Sequence, residues 1–192
     1  MKYFAASLLI VVGLCVGSAH AQDPATGSPA SWAFEIEAGF ATIRANASPA
    51  QCGCFFMYGA NVQAAVVHHT GLALLVDYGR TSANSINGGG HDLTLSTYMG
   101  GVRYSPLMEK KLSPYGQVLL GAGHTSSNYA IDSDASRFAA AVGGGLNMKL
   151  SRRFDLRLVE ADYLLTRIPN AANEIQNQLR LSSGLVYRFT KR

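Results

Sequence analysis

The sequence predicts an all-β fold, an eight-stranded antiparallel up-and-down transmembrane β-barrel preceded by a cleaved signal peptide. Three observations lead there. From Trp32 onward, apolar residues alternate with polar or tiny ones at a period of two, the strand signature. The chain is 48% hydrophobic and only 15% charged, where a soluble domain carries nearer a quarter. Beyond residue 21, no window approaches the roughly 18 apolar residues of a spanning helix. A closed barrel reconciles the three, because its lipid-facing side avoids charge while its backbone hydrogen bonds close on themselves.

Residues 1–21 read as a signal peptide. Lys2 supplies the positive start, Leu8 to Val16 the short apolar run, and Ala19-His20-Ala21 the small residues of a cleavage site. Cys15 follows Leu14, where lipoprotein processing needs Gly, Ala or Ser, so a lipid anchor is not expected. Residues 22–31, with Pro24 and Pro29, form a polar lead-in expected to be flexible. The barrel domain is expected over residues 32–189, with 190–192 as a tail.

In the first strand, residues 32–43, Trp32, Phe34, Ile36, Ala38 and Phe40 oppose Ala33, Glu35, Glu37, Gly39 and Ala41. Residues 55–67 set Phe56, Tyr58, Val62 and Val66 against Met57, Gly59, Asn61 and Gln63. Residues 72–80 set Leu72, Leu74, Val76 and Tyr78 against Ala73, Leu75, Asp77 and Gly79. Residues 93–105 and 115–125 are less regular, the second being apolar on both parities. Residues 137–150 return to alternation, with Phe138, Val142 and Leu146 on one face. In residues 154–166 the phase slips between Leu158 and Ala161. If Arg157, Glu160 and Asp162 all point inward, a β-bulge must absorb one residue there. The last strand is the cleanest, with Leu179, Leu181, Leu185, Tyr187 and Phe189 opposite Arg180, Ser182, Gly184 and Arg188. An arginine facing lipid at the midplane costs roughly 2–4 kcal/mol, so Arg180 and Arg188 are expected in the lumen.

Eight strands leave both termini on one side, expected to be the periplasm. Residues 67–71 and 150–154 are tight turns on that side, and residues 105–114 are long for one. Residues 44–54, 81–92, 126–136 and 167–177 are the expected outer loops. Two aromatic girdles follow. Trp32, Tyr104, Tyr115, Phe154, Tyr187 and Phe189 are expected at the periplasmic ends. Phe40, Tyr58, Tyr78, Phe138 and Tyr163 are expected at the outer ends.

The segment from Arg157 to Arg167, followed by Asn177 to Phe189, resembles the last two strands of OmpA-like outer-membrane β-barrel proteins. Gly100-Gly101-Val102-Arg103-Tyr104 and Pro114 to Gly121 are similar to that family's middle strands. The resemblance covers about residues 32–189 and implies an eight-stranded barrel in the cell outer membrane, inserted by the barrel-assembly machinery. It also implies a terminal aromatic signal for that machinery, which Tyr187 and Phe189 supply. Here the chain departs from the pattern by continuing with Thr190-Lys191-Arg192. The barrel precedes a peptidoglycan-binding domain in full-length OmpA, and a wall-anchoring role is not expected for this chain.

Glu35, Glu37, Asp77, Glu160 and Asp162 share the expected lumen with Arg157, Arg180 and Arg188. An eight-stranded barrel is only wide enough to be filled by side chains, and charges buried there survive by pairing. A structural charge network is therefore expected rather than catalysis. Cys52 and Cys54, flanking Gly53, offer a local disulfide in an oxidising compartment, and a metal site lacks further ligands nearby. His124 and Ser126 are the one enzyme-like pair, since barrel lipid A deacylases place a His and a Ser on a strand's outer face. A loop boundary explains Ser126 equally, and His68, His69 and Thr70 read as turn residues. Gly143-Gly144-Gly145 reads as wall space for bulky lumen neighbours rather than a phosphate loop. The net charge of +4 is spread along the chain, so no nucleic-acid partner is expected.

The expected function is an integral outer-membrane barrel with a structural, envelope or surface-interaction role. It is expected to be a monomer without cofactor or enzymatic activity, in contact with outer-membrane lipids and lipopolysaccharide. The alternatives are a barrel-type lipid A modifying enzyme and a small-solute channel. A lipocalin-like soluble carrier would reverse inside and outside.

Overall fold

The computed structural model describes residues 32–45, 55–86, 91–127, 134–168 and 175–189. The segments expected as signal peptide, lead-in and tail, together with Cys52 and Cys54, lie outside the described residues. Alternation in sequence becomes eight strands: β1 (Trp32–Ala45), β2 (Phe55–His68), β3 (Leu72–Ile86), β4 (His91–Tyr104), β5 (Leu112–Ser127), β6 (Asp134–Lys149), β7 (Phe154–Thr166) and β8 (Gln176–Arg188). Each pairs antiparallel with its neighbours in sequence, and β8 closes on β1. Among the described residues no helix is long and apolar enough to cross a membrane; the strands form the only continuous wall.

The pairing register fixes the barrel's girth. Following partners from Ala33 through Val67, Ala73, Arg103, Gln117, Gly143, Asp162 and Arg180 returns to β1 at Ile43, a stagger of ten residues. Ten residues of about 3.3 Å set against eight spacings of about 4.8 Å tilt the strands by about 40° and give a backbone radius of about 8 Å. Side chains from opposite walls meet across that width.

The phase slip in β7 is a bulge. Register shifts between Arg157 and Glu160 against β8, and Leu158 and Val159 both face outward. The Ser183 hydroxyl donates to the Arg157 carbonyl at 2.9 Å beside the distortion. The extra residue lets Arg157, Glu160 and Asp162 all point inward, each fully buried. At the end holding both barrel termini, the β2–β3 turn needs Gly71, whose φ is 89°. A Cβ there would also lie 2.1 Å from the Ser105 carbonyl oxygen. The Gly71 N–H donates to the His68 carbonyl, and the Gly71 carbonyl accepts from the Ser105 N–H, both at 2.9 Å.

The outer surface is apolar. Leu74, Val76, Val102, Leu120, Val142 and Leu185 form an aliphatic band facing away from the axis. Aromatic rings flank it. Trp32, Phe34, Tyr104, Phe154, Tyr187 and Phe189 lie at the turn end, with Phe34 and Tyr187 packed on Phe189 at 5.1 and 4.9 Å. Phe40, Tyr58, Tyr78, Tyr98, Phe138 and Tyr163 lie toward the loop end, with Tyr78 and Tyr98 5.0 Å apart. Tyr115 does not join the turn-end girdle. It points inward and is 6% exposed, because its β5 parity matches Gln117 and Leu119 rather than Val118 and Leu120.

The strands also run past the apolar band into segments expected as loops. Thr81 to Ile86 extends β3 and Asp134 to Ser136 extends β6. Backbone pairing continues through these extensions, with Thr81 and Ala83 still turned into the lumen and Ser136 against His124.

Candidate functional site

All eight charged residues assigned to the lumen by alternation are buried inside the barrel, and they form two connected layers. In the layer nearer the turns, Glu35 stands between two guanidiniums. Arg103 Nη2 lies 2.7 Å from Glu35 Oε2, and Arg188 Nε donates to Glu35 Oε1 at 2.7 Å. Arg188 also reaches Asp155 at 3.1 Å.

The second layer crosses the middle of the barrel. Arg157, wholly buried, pairs with Glu37 and with Glu160, the latter at 2.6 Å. Its Nη1 donates to Gln63 Oε1 at 2.9 Å, and its Nε donates to Asn147 Oδ1 at 3.2 Å. Arg180 spans Asp77 at 2.8 Å and Asp162 at 2.7 Å. Neutral groups tie the charges together. Tyr115 donates its hydroxyl to Glu160 at 2.7 Å, Gln117 donates to Asp162 at 3.1 Å, and Gln63 donates to Asp77 at 3.1 Å. The Arg157 guanidinium also lies 4.7 Å from the Tyr115 ring centroid, within cation–π range.

Room for this network comes from missing side chains on the wall. A Cβ on Gly143 would lie 2.3 Å from Asp162 Oδ1, and one on Gly145 would lie 2.5 Å from the Tyr115 hydroxyl. Gly143 and Gly145 thus leave wall space for Asp162 and Tyr115.

Both ends of the network are covered. Toward the loop end, Ile43, Met57, Leu95, Ala139 and Leu164 are buried together in the lumen, with Phe55, Leu93 and Ile168 packed against them. At the turn end, Met108 from the β4–β5 connection and Val67 line a largely polar recess with Glu35, Arg103, Asp155 and Arg188. That connection is long because it is folded over the lumen mouth. The Ser113 hydroxyl donates to the Leu107 carbonyl at 2.7 Å, and Lys110 N–H donates to it at 3.0 Å.

Sequence reasoning missed Arg103, Asp155, Gln63, Tyr115, Gln117 and Asn147 as members of the network. Parity was the available signal for Arg103, which alternates against Tyr98, Val102 and Tyr104. Tyr187 and Phe189, assigned to assembly, face outward at the turn end, and Phe189 N–H donates to the Phe34 carbonyl at 2.9 Å. His124 Nδ1 lies 3.0 Å from the Ser136 hydroxyl of β6, its cross-strand partner. His68 ends β2 and His69 opens the β2–β3 turn, with His68 Nδ1 2.9 Å from the Thr70 hydroxyl. Among the described residues, no three His, Cys, Asp or Glu side chains converge as a metal ion requires.

The comparisons match this geometry. Residues 7–189 match the family model described as outer membrane protein beta-barrel domain. The crystal structure of Neisserial surface protein A is similar at a TM-score of 0.60 and 18% identity, covering 85% of this chain and 100% of that one. The crystal structure of Ail, the attachment invasion locus protein of Yersinia pestis, is similar at a TM-score of 0.57 and 18% identity, covering 82% and 98%. OprG from Pseudomonas aeruginosa is similar at a TM-score of 0.53 and 13% identity, covering 87% and 100%. Among curated protein sequences, none matches.

Proposed function

We propose that this chain, which belongs to the outer membrane protein beta-barrel domain family and is an integral barrel of the cell outer membrane, has a structural, envelope or surface-interaction role there rather than a chemical one. The barrel anchors itself by its apolar band, holds its lumen shut, and presents four loop connections to the cell exterior, with both termini in the periplasm. Its surroundings are outer-membrane lipids and lipopolysaccharide, it works as a monomer, and it is delivered by the barrel-assembly machinery reading Tyr187 and Phe189.

One observation supports this reading above the rest. Arg157 and Arg180 span a lumen of about 8 Å backbone radius and engage carboxylates from several strands. A cross-section filled in this way has no continuous water path, which disfavours the small-solute channel. The same carboxylates are held by guanidiniums and are almost wholly buried, a poor setting for a substrate. His124 and Ser136 stand outside the lumen at the loop end, where a polar rim accounts for both.

The test is gel mobility of outer-membrane fractions with and without boiling, followed by planar-bilayer recording of the purified folded form. A folded species of altered mobility that stays electrically silent is expected. Steady unitary conductance would overturn the closed-lumen reading and favour a channel.

A further inference from the structure

Basic residues that looked scattered in sequence meet on one sector of the turn-end rim. Lys110 and Lys111 close the β4–β5 connection, Lys149 ends β6, and Arg152 and Arg153 lie in the β6–β7 turn. Lys149 N–H donates to the Lys111 carbonyl at 2.8 Å, which locks the two connections side by side. Glu109 is the one acid in residues 105–111 and 149–153. The third turn of this rim, His69–Gly71, carries no lysine or arginine, so the charge is one-sided.

The same sector shows apolar surface. Leu107 and Leu150, in the connections themselves, are 46% and 54% exposed, and Leu112 and Phe154 continue the apolar surface into the band below. Cations interleaved with outward leucines beside an aromatic girdle have the composition of a surface seated at the headgroup level of a bilayer.

We infer that this sector binds the phosphates of anionic phospholipids in the membrane leaflet around the turn end, with Lys110, Lys111, Arg152 and Arg153 holding the headgroups and Leu107 and Leu150 dipping among the acyl chains. The inference rests on the proposed orientation, which makes that leaflet the periplasmic one. A cation close to an anionic membrane surface gains roughly a fivefold preference. Four of them give a selectivity that neither turn would provide alone. A wall polymer would also answer the positive charge, but it gives no reason for exposed leucines at the tips of the connections.

The experiment folds the mature chain into vesicles of phosphatidylcholine containing one-fifth phosphatidylglycerol. Spin-labelled analogues of each lipid then report the relative association constant at the barrel surface. The native chain is expected to favour phosphatidylglycerol several-fold, falling towards parity in 0.5 M salt. The variant K110Q/K111Q/R152Q/R153Q is expected to lose the preference while keeping its heat-modifiable gel mobility. Since Arg153 Nη1 lies 3.5 Å from the Tyr187 hydroxyl, K110Q/K111Q/R152Q serves as the variant that spares that contact. A native chain without preference, or a preference that survives all the substitutions, overturns the inference. So does co-sedimentation with purified cell-wall sacculi that depends on the same four cations. Labelling of a Ser151→Cys variant carrying C52S/C54S by an impermeant maleimide on intact cells, with C52S/C54S alone as the blank, would instead overturn the orientation, whatever the lipid selectivity.

Discussion

Replacing Arg157 with Met is the most demanding perturbation of the lumen network. The side chain is wholly buried, pairs with Glu37 and Glu160, and donates to Gln63 and Asn147 at 2.9 and 3.2 Å. Removing it takes the shared cation from Glu37 and Glu160, of which Glu160 keeps Arg180 at 3.6 Å. Breaking a buried pair by deleting one partner costs about 3–5 kcal/mol, because the remaining charge keeps its desolvation penalty. Losing the contact with the Tyr115 ring adds about 1 kcal/mol. The expected loss is therefore about 4–6 kcal/mol, read from urea unfolding of the folded barrel in micelles. Met fills much of the same volume, so a cavity contributes little. The triple variant R157M/E37Q/E160Q removes the stranded charges with the cation and is expected to recover most of the loss, as coupled sites do in a mutant cycle. A loss below about 1 kcal/mol for R157M, or no recovery in the triple variant, would refute the reasoning that these charges need one another.

Three further outcomes are expected. Gly145→Ala, whose Cβ would meet the Tyr115 hydroxyl at 2.5 Å and the Val159 carbonyl oxygen at 2.4 Å, is expected to cost about 1–3 kcal/mol or abolish the folded gel species. Val76→Arg, on the outer face of β3 and 62% exposed there, is expected to cost about 2–4 kcal/mol in bilayers. Asn84→Arg, on the same face but in the polar extension, is expected to cost under about 1 kcal/mol. His124→Ala, Ser126→Ala and Ser136→Ala are expected to leave the acyl content of lipid A unchanged by mass spectrometry, and a loss of deacylated product would revive the lipid A enzyme.

Much of the barrel was legible because a strand with lipid on one side and lumen on the other writes its two faces at a strict period of two. Arg180, Ser182 and Arg188 against Leu181, Leu185 and Tyr187 is the plainest case. The bulge at Leu158 and Val159 was also legible, because three charged residues could share the interior only if one position were absorbed. Tyr115 was not. It lies where β5 is apolar on both parities, and its face is decided by β6, where Gly145 stands opposite and leaves room for the ring. Asp155 escaped because it is the second residue of β7, where few alternating neighbours remain to set the phase, whereas Arg103 carried a usable parity that the irregular start of β4 obscured. The polar ends of β3 and β6 read as loops for a related reason. Outside the bilayer a strand needs only backbone pairing, and hydrophobic periodicity disappears while the ladder continues. The cationic rim depends on which turns lie side by side, and nothing along the chain places residue 111 against residue 149.

Which face of β8 meets hydrocarbon is the claim beneath all of this, and nitroxide labels at Leu181, Ser182, Leu185 and Val186 in bilayers measure it directly. Collision with dissolved oxygen should be high at Leu181 and Leu185 and low at Ser182 and Val186. Equal accessibility at the four positions, or the opposite alternation, would contradict it.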